Sequence, residues 1–278
     1  MKKIFIVLFA AATLAGMVCS CDKGNDNKKK GDKEGGEEEE AAALIDIDGA
    51  FTDWDALKDV TTIECPADAL YPALKKAKLA IDEKYLYAYV EYEILEGQST
   101  VPFEIIVNAD NNDESGGKEW LFKGADEATY CGYEYNIETE LGFLKEGKIV
   151  NIDGTVKVYD EDDDTKLIKE YPDGSIYEFR GPDGAEGWDD LVEGYEFSED
   201  GSYLFPISRA VMKSAGVIEE GVAKVEISVL REDMEIKVNT IKVGLIAFDD
   251  DWATAGCLPQ GSANGTSIGQ ADMQKLDL

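Results

Sequence analysis

The sequence predicts an all-β protein: a two-sheet antiparallel β-sandwich, jelly-roll or immunoglobulin-like in kind, with one short helix. Three observations predict it. About ten short runs, most of them between Ala77 and Phe248, alternate apolar and polar residues or are rich in β-branched and aromatic ones. They are separated by "NIDG", "YPDG" and "GPDG", whose Asp-Gly and Pro suit tight turns. No strand–helix–strand rhythm is present, and one segment, "ISRAVMKSAG", reads as a helix that Ser208 caps and Gly216 ends.

The elements follow in chain order. "MKKIFIVLFAAATLAGMVCSC" has two lysines, an apolar run from Ile4 to Val18, then small residues and cysteine, the layout of a bacterial secretory signal. The run is short for a transmembrane helix. Val18 and Ser20 before Cys21 resemble the sequence cut by lipoprotein signal peptidase, so residues 1–20 are expected to leave and Cys21 to be lipidated, with Cys19 as the other candidate. Residues 21–43 hold no aromatic or β-branched residue and a dense load of charge, Gly and Asn. Such a segment cannot bury enough apolar surface to offset its ordering entropy and reads as a flexible acidic tether. The folded domain is expected over residues 44–278, lipid-anchored at the outer membrane on its periplasmic or cell-surface face.

Within that domain, "KAKLAI" and "YLYAYVEYE" flank "DEK" as a hairpin, with Leu86, Ala88 and Val90 on one face and Tyr85, Tyr87 and Tyr89 on the other. Aromatics on the second face imply cover on both sides. The remaining strands are expected in "PFEIIV", "YEYNIE", "TVKVY", "KLIKEY", "SIYEF", "GYEFS", "SYLFPI", "AKVEISVL" and "IKVNTIKVGLIAF". Near the start of the domain, Gly49 permits a turn, and Trp54 is expected to plug the base of the sandwich with its indole nitrogen on a backbone carbonyl.

Composition removes whole classes of function. The chain carries 27 basic and 59 acidic residues, a net charge of −32. A surface this negative repels nucleic acid and anionic lipid and leaves neutral sugars or cations as partners. There is no histidine, which removes Ser-His and Cys-His nucleophile systems and the usual zinc and haem ligands. Cys65, Cys131 and Cys257 remain after maturation, widely spaced and odd in number, so one disulfide or three thiols are both open. A glycosidase would need two carboxylates about 5 to 10 Å apart. Chance pairs abound in so acidic a chain, no particular pair stands out, and no catalytic residue is assigned.

The stretch "NADNNDESGGKEW", Asn108 to Trp120, is the densest concentration of polar chemistry. Asp110, Asn112 and Glu114 alternate, a spacing by which a tight loop turns side-chain oxygens toward one centre, and calcium takes six to eight such oxygens. An EF-hand is excluded, because Gly116 falls one place late and Leu121 holds the twelfth position. The same residues are also what plain turns are made of. Both readings stand at this stage.

Five motifs in order resemble family 9 carbohydrate-binding modules and their DOMON-like relatives: "IDIDGAFTDWDAL", "KLAIDEKYLYAYVEYE", "EIIVNADNNDESGG", "YLFPISRAVM" and "AFDDDWATAGCLP". The resemblance implies a β-sandwich that binds sugar without chemistry, often with a structural calcium ion. It also implies two aromatic rings sandwiching the sugar, which by position are Trp120 and Trp252, with Trp188 as a third. Asn108, Asn111 and Asp251 are candidates for the rim, where hydroxyls need polar partners. The competing reading is a structural or protein-interaction lipoprotein that uses a broad, flat apolar patch on the same sandwich and has no sugar ligand.

Overall fold

The computed structural model of the chain describes residues 43–58, 60–98, 100–119, 130–145, 148–149, 155–159, 167–172, 174–187, 203–208, 212–260 and 273–277. These residues fall in one compact unit, Ala42–Leu278. The signal, Cys21 and the tether lie outside the described residues, except for Ala43, as do Trp120, Trp188 and the run "GYEFS".

One helix, α1 (Thr52–Ala56), precedes β1 (Thr61–Glu64), β2 (Leu74–Ile81), β3 (Tyr85–Glu93), β4 (Thr100–Asn108), β5 (Gly117–Glu119) and β6 (Tyr130–Tyr133). The chain continues through β7 (Tyr135–Lys145), β8 (Lys148–Ile149), β9 (Thr155–Tyr159), β10 (Leu167–Pro172), β11 (Ser175–Phe179) and β12 (Leu204–Ser208). It closes with β13 (Met212–Glu219), β14 (Val222–Leu230), β15 (Thr240–Phe248), β16 (Thr254–Leu258) and β17 (Gln274–Asp277). A five-stranded sheet runs β1-β2-β3-β14-β13. An eight-stranded sheet runs β12-β11-β7-β4-β15-β16, with β17 beside β15 and β8 beside β7. Neighbours in both sheets are antiparallel, as the alternation and turn signals require.

The two sheets pack face to face. Leu79, Leu86, Ala88, Val90, Val225, Ile227 and Val229 of the smaller sheet meet Phe103, Ile105, Val107, Ile137, Ile241, Val243 and Leu245 of the larger in one continuous core. Burying each such side chain contributes about 1.5–3 kcal/mol. Both outer faces are covered as well. Ile45, Trp54, Tyr87 and Tyr89 form a cluster on the outside of the smaller sheet, so the tyrosine face of β3 is buried as its composition implied. Ile106, Ile246, Tyr130, Tyr133, Phe179, Tyr203 and Leu204 cover the outside of the larger sheet. Gly244, mid-strand in β15, has the Tyr130 ring so close that a Cβ there would stand 2.6 Å from it, which explains a glycine in an otherwise apolar strand.

Two local expectations are corrected. Residues Met212–Gly216 of the expected helix form the first part of β13, and among the described residues the helix is α1. The reason is tertiary: β13 pairs with β14 from Met212↔Val229 to Glu219↔Val222. The connecting residues Glu220 and Gly221 have φ of 51° and 82°, the positive pair that a type I′ hairpin turn demands. A long buried strand needing a hydrogen-bonded neighbour outweighs the weak helix propensity of a ten-residue segment.

The second correction concerns Trp54. It is 1% exposed, as a plug should be, but its indole N–H donates to the Glu226 carboxylate at 3.0 Å and not to a backbone carbonyl. The same carboxylate accepts the backbone N–H of Asp48 at 2.8 Å and of Gly49 at 2.6 Å. Glu226 is 0% exposed. Removing it would orphan three donors in a water-poor site, at about 1–3 kcal/mol for each that finds no substitute. Glu226→Ala is therefore expected to lower the unfolding free energy by about 3 kcal/mol or more, read from urea or thermal melts.

Candidate functional site

β15 separates the residues that the sequence grouped. Its Lys242 pairs with Asn108 and its Ala247 with Phe103, so the Asn108 loop leaves one end of the strand and Trp252 follows the other. Six residues at about 3.4 Å each put roughly 20 Å between the two ends. Asn108, Asn111, Asp110, Asn112 and Glu114 therefore belong to one end, Trp252 and Asp251 to the other. They do not form one pocket.

At the first end the polar side chains hold the loop together. Asn108 is 0% exposed. Its carbonyl oxygen accepts the Asn112 N–H at 3.2 Å, while its amide donates to the Asn112 carbonyl at 3.1 Å and to Asp113 at 3.3 Å. Sealed in this way, Asn108 has no face for a ligand. Asn111 is exposed with φ of 58°, a conformation asparagine tolerates better than most residues. Asp113, which the sequence reading passed over, receives the ammonium of Lys242 at 2.5 Å. Lys242 is only 7% exposed, and a buried cation of this kind needs a partner. The loop is thus bolted to the sheet.

The calcium expectation meets this geometry directly. One Asp110 oxygen accepts the Asn112 N–H at 2.9 Å and the other the Ser115 hydroxyl at 2.9 Å. The Asn112 side-chain oxygen accepts the Glu114 N–H at 3.1 Å. The alternation that suggested a metal instead builds successive Asx turns. Among the described residues no group of three or more carboxylate or thiol side chains is arranged to hold a metal ion. The oxygens of Asp110 and Asn112 are engaged by the loop's own N–H and hydroxyl groups. The thermal midpoint of Ala42–Leu278 is expected to be the same in calcium and in chelator, since an ion bound only to the folded state would raise it.

One carboxyl at this end is electrostatically out of the ordinary. Glu134 accepts the Ala109 N–H at 2.6 Å. Burial first, then the charge of Asp110, pushes its pKa up to about 7. A folded pKa above the unfolded one means that the native state holds the proton more tightly. The stability so gained is complete below the usual carboxylate pKa and is lost as pH rises through about 7. Glu134→Gln is expected to flatten the fall in unfolding free energy between pH 5 and 8, by at most about 3 kcal/mol across the window, read from urea melts at each pH.

The second end presents a different surface. Trp252 is 52% exposed and sits at φ of 60°, a left-handed conformation that a bulky side chain occupies only when its surroundings enforce it. The enforcing group is Asp249, whose carboxylate accepts the N–H of Asp251 and of Ala253, both at 2.9 Å. Two backbone bonds, Trp252 N–H to the Asp249 carbonyl at 3.0 Å and Asp249 N–H to the Ala253 carbonyl at 2.9 Å, close the turn. The Trp252 ring packs on Phe248 at 5.3 Å between centroids.

Beneath this ring pair, Gln98 donates to the Phe248 carbonyl at 3.0 Å and accepts the Tyr92 hydroxyl at 3.0 Å and the Leu95 N–H at 3.2 Å. The β3–β4 connection is thereby joined to the β15–β16 turn. Leu95 is 37% exposed, and Asp250 and Asp251 are exposed too. The result is an immobilised indole face with carboxylates on its own turn. Phe248, Gln98 and Leu95 were not singled out from sequence. The only signal was their place at strand ends.

The other titratable candidates are quiet. Cys65, Cys131 and Cys257 are free thiols, and burial pushes Cys257 up to about 12, which keeps it protonated and unreactive. No family model matches the chain, and no curated protein matches it.

Proposed function

We propose that this protein is a membrane-anchored, non-catalytic binding lipoprotein that captures a carbohydrate, with Trp252 as the ring against which a sugar lies. The observation that carries the reading is the exposed, left-handed, hydrogen-bond-mounted Trp252. An indole held half in water on a rigid turn costs conformational energy and forgoes about half of its burial, which favours a ring kept for a ligand. A sugar's C–H face packs on such a ring while Asp250 and Asp251 lie within the same turn to meet hydroxyls. The likeness of "AFDDDWATAGCLP" to the closing strand and tryptophan of family 9 carbohydrate-binding modules supports the same reading. The proposed anchor is Cys21 at the outer membrane, on the strength of the leader sequence alone. Trp120 and Trp188 stay candidates for a second ring.

The large exposed apolar side chains among the described residues are Leu44, Leu70, Leu95 and Trp252. They come from separate connections, a pattern that suits a small-ligand platform better than a broad protein-docking patch. A glycan array probed with Ala42–Leu278 is expected to give hits that Trp252→Gly weakens tenfold or more, the loss of a central aromatic contact. Glycine accepts a φ of 60° without strain, so the variant should melt within a few degrees of the parent. Hits untouched by the substitution, or an array without hits, would remove the basis of the proposal.

A further inference from the structure

We infer that the domain has a second binding site, apart from the Trp252 platform, and that it holds a single-chain anionic amphiphile: an alkyl chain ended by a carboxylate or a phosphate. The inference does not rest on the carbohydrate reading, because the site lies toward the other end of β15.

β17 runs beside the first half of β15, from Thr240↔Asp277 to Val243↔Gln274, and packs against β2 of the smaller sheet. At this edge of the sandwich a cavity of about 410 Å³ opens, within the range of small-ligand sites and toward its lower end, which suits one chain better than two. Its lining takes one core leucine from each sheet, Leu79 of β2 and Leu276 of β17. Leu57 and Ile81 add half-buried apolar surface, and Leu44, which also lines it, is 40% exposed. Apolar side chains from four separate stretches of chain thus converge on one recess. An alkyl chain laid there takes their remaining surface out of water.

The charge at the recess selects the head. Lys58, which precedes β1, and Lys275 of β17 both line it. Both are exposed, and among the described residues no ion pair or side-chain hydrogen bond engages either ammonium. The residue opposite Lys275 across the β15–β17 ladder is a further cation, Lys242, and its own charge is already met by Asp113. The nearby carboxylates are held by other groups. Asp277, which also lines the recess, accepts the Thr240 hydroxyl at 2.7 Å. Asp82, reached by the Leu44 N–H at 3.3 Å, also accepts the N–H groups of Lys84 and Tyr85 and the Tyr87 hydroxyl. Lysine suits the rim of an apolar recess, because its stem packs along the apolar surface while the ammonium stays in water. At physiological ionic strength charges beyond about 8 Å are largely screened, so these two lysines outweigh the distant acids of the chain. A neutral or cationic head would leave both ammoniums unmet. An anionic head meets them while its chain covers the leucines.

Calorimetry on Ala42–Leu278 with dodecanoate, dodecyl phosphate, octanoate and dodecyltrimethylammonium, each below its micelle concentration, tests the site. At least one of the two twelve-carbon anions is expected to bind at one site per chain, about tenfold or more tighter than octanoate, since each methylene adds apolar burial. The same margin is expected over dodecyltrimethylammonium, and the tighter of the two anions names the head. Lys58→Gln with Lys275→Gln, both exposed, should erase the margin over the cation, and an undiminished margin would overturn the proposal. Thr61→Trp, which fills the recess from the edge strand β1, should abolish binding in a variant that melts within a few degrees of the parent. Anion binding that survives Thr61→Trp would place the ligand elsewhere and overturn the site. So would a cation that binds as tightly as the anions, or the failure of both twelve-carbon anions to bind.

Discussion

The smaller sheet depends on one buried carboxylate. Glu226 stands near the middle of β14, opposite Tyr89 of β3, on the face that would meet solvent in a bare sandwich. A lone carboxylate there would be costly. The segment from Ile45 to Leu57 removes the cost by offering three N–H donors, two from the backbone at Asp48 and Gly49 and one from Trp54. Burial still raises the Glu226 pKa, and the three donors oppose that rise. The partners are more than 170 residues apart in sequence, so this bond set closes the domain from its first residues to its last long hairpin. It also draws α1 over Tyr87 and Tyr89 and makes their burial possible.

That interaction shows what sequence patterning reveals and what it hides. Period-two alternation in "YLYAYVEYE" gave both faces of β3 correctly, because each face is buried by a layer whose residues are apolar. The role of Trp54 as a plug was legible from its place after Asp-Gly. Its partner was not, because nothing local marks one glutamate among so many as the acceptor. The β13 hairpin hid for a related reason: "RAVMKSAG" has helical composition, and only the positive φ values at Glu220 and Gly221, with the long strand that follows, decide against it. Turn chemistry outweighed propensity there.

The candidate site was legible as a list of residues and not as an arrangement. Asp-rich turns follow both β4 and β15, and on paper they are alike: acidic and near a tryptophan. Antiparallel pairing sends them to opposite ends of the sheet. Once there, a single buried lysine separates their fates. Lys242 needs an anion because it is nearly out of water, and Asp113 supplies it. The Asn108 loop becomes a structural closure as a result, its oxygens consumed by its own backbone. At the Trp252 turn the structural part falls to Asp249, and the indole stays half exposed.

Asp249, Asp250 and Asp251 make the same point at the scale of one turn. Three identical residues in a row cannot be ranked from sequence. The backbone ranks them: the residue that starts the turn directs its carboxylate at the N–H groups two and four positions on, and the residues at the tip project outward. The inward carboxylate holds Trp252 in a conformation its bulk resists. Asp250 and Asp251 are exposed on the same turn. In a chain of net charge −32 most carboxylates serve solubility, screened from one another beyond about 8 Å at physiological salt. Asp249 differs because hydrogen bonds fix its carboxylate, and with it the backbone that carries the exposed ring.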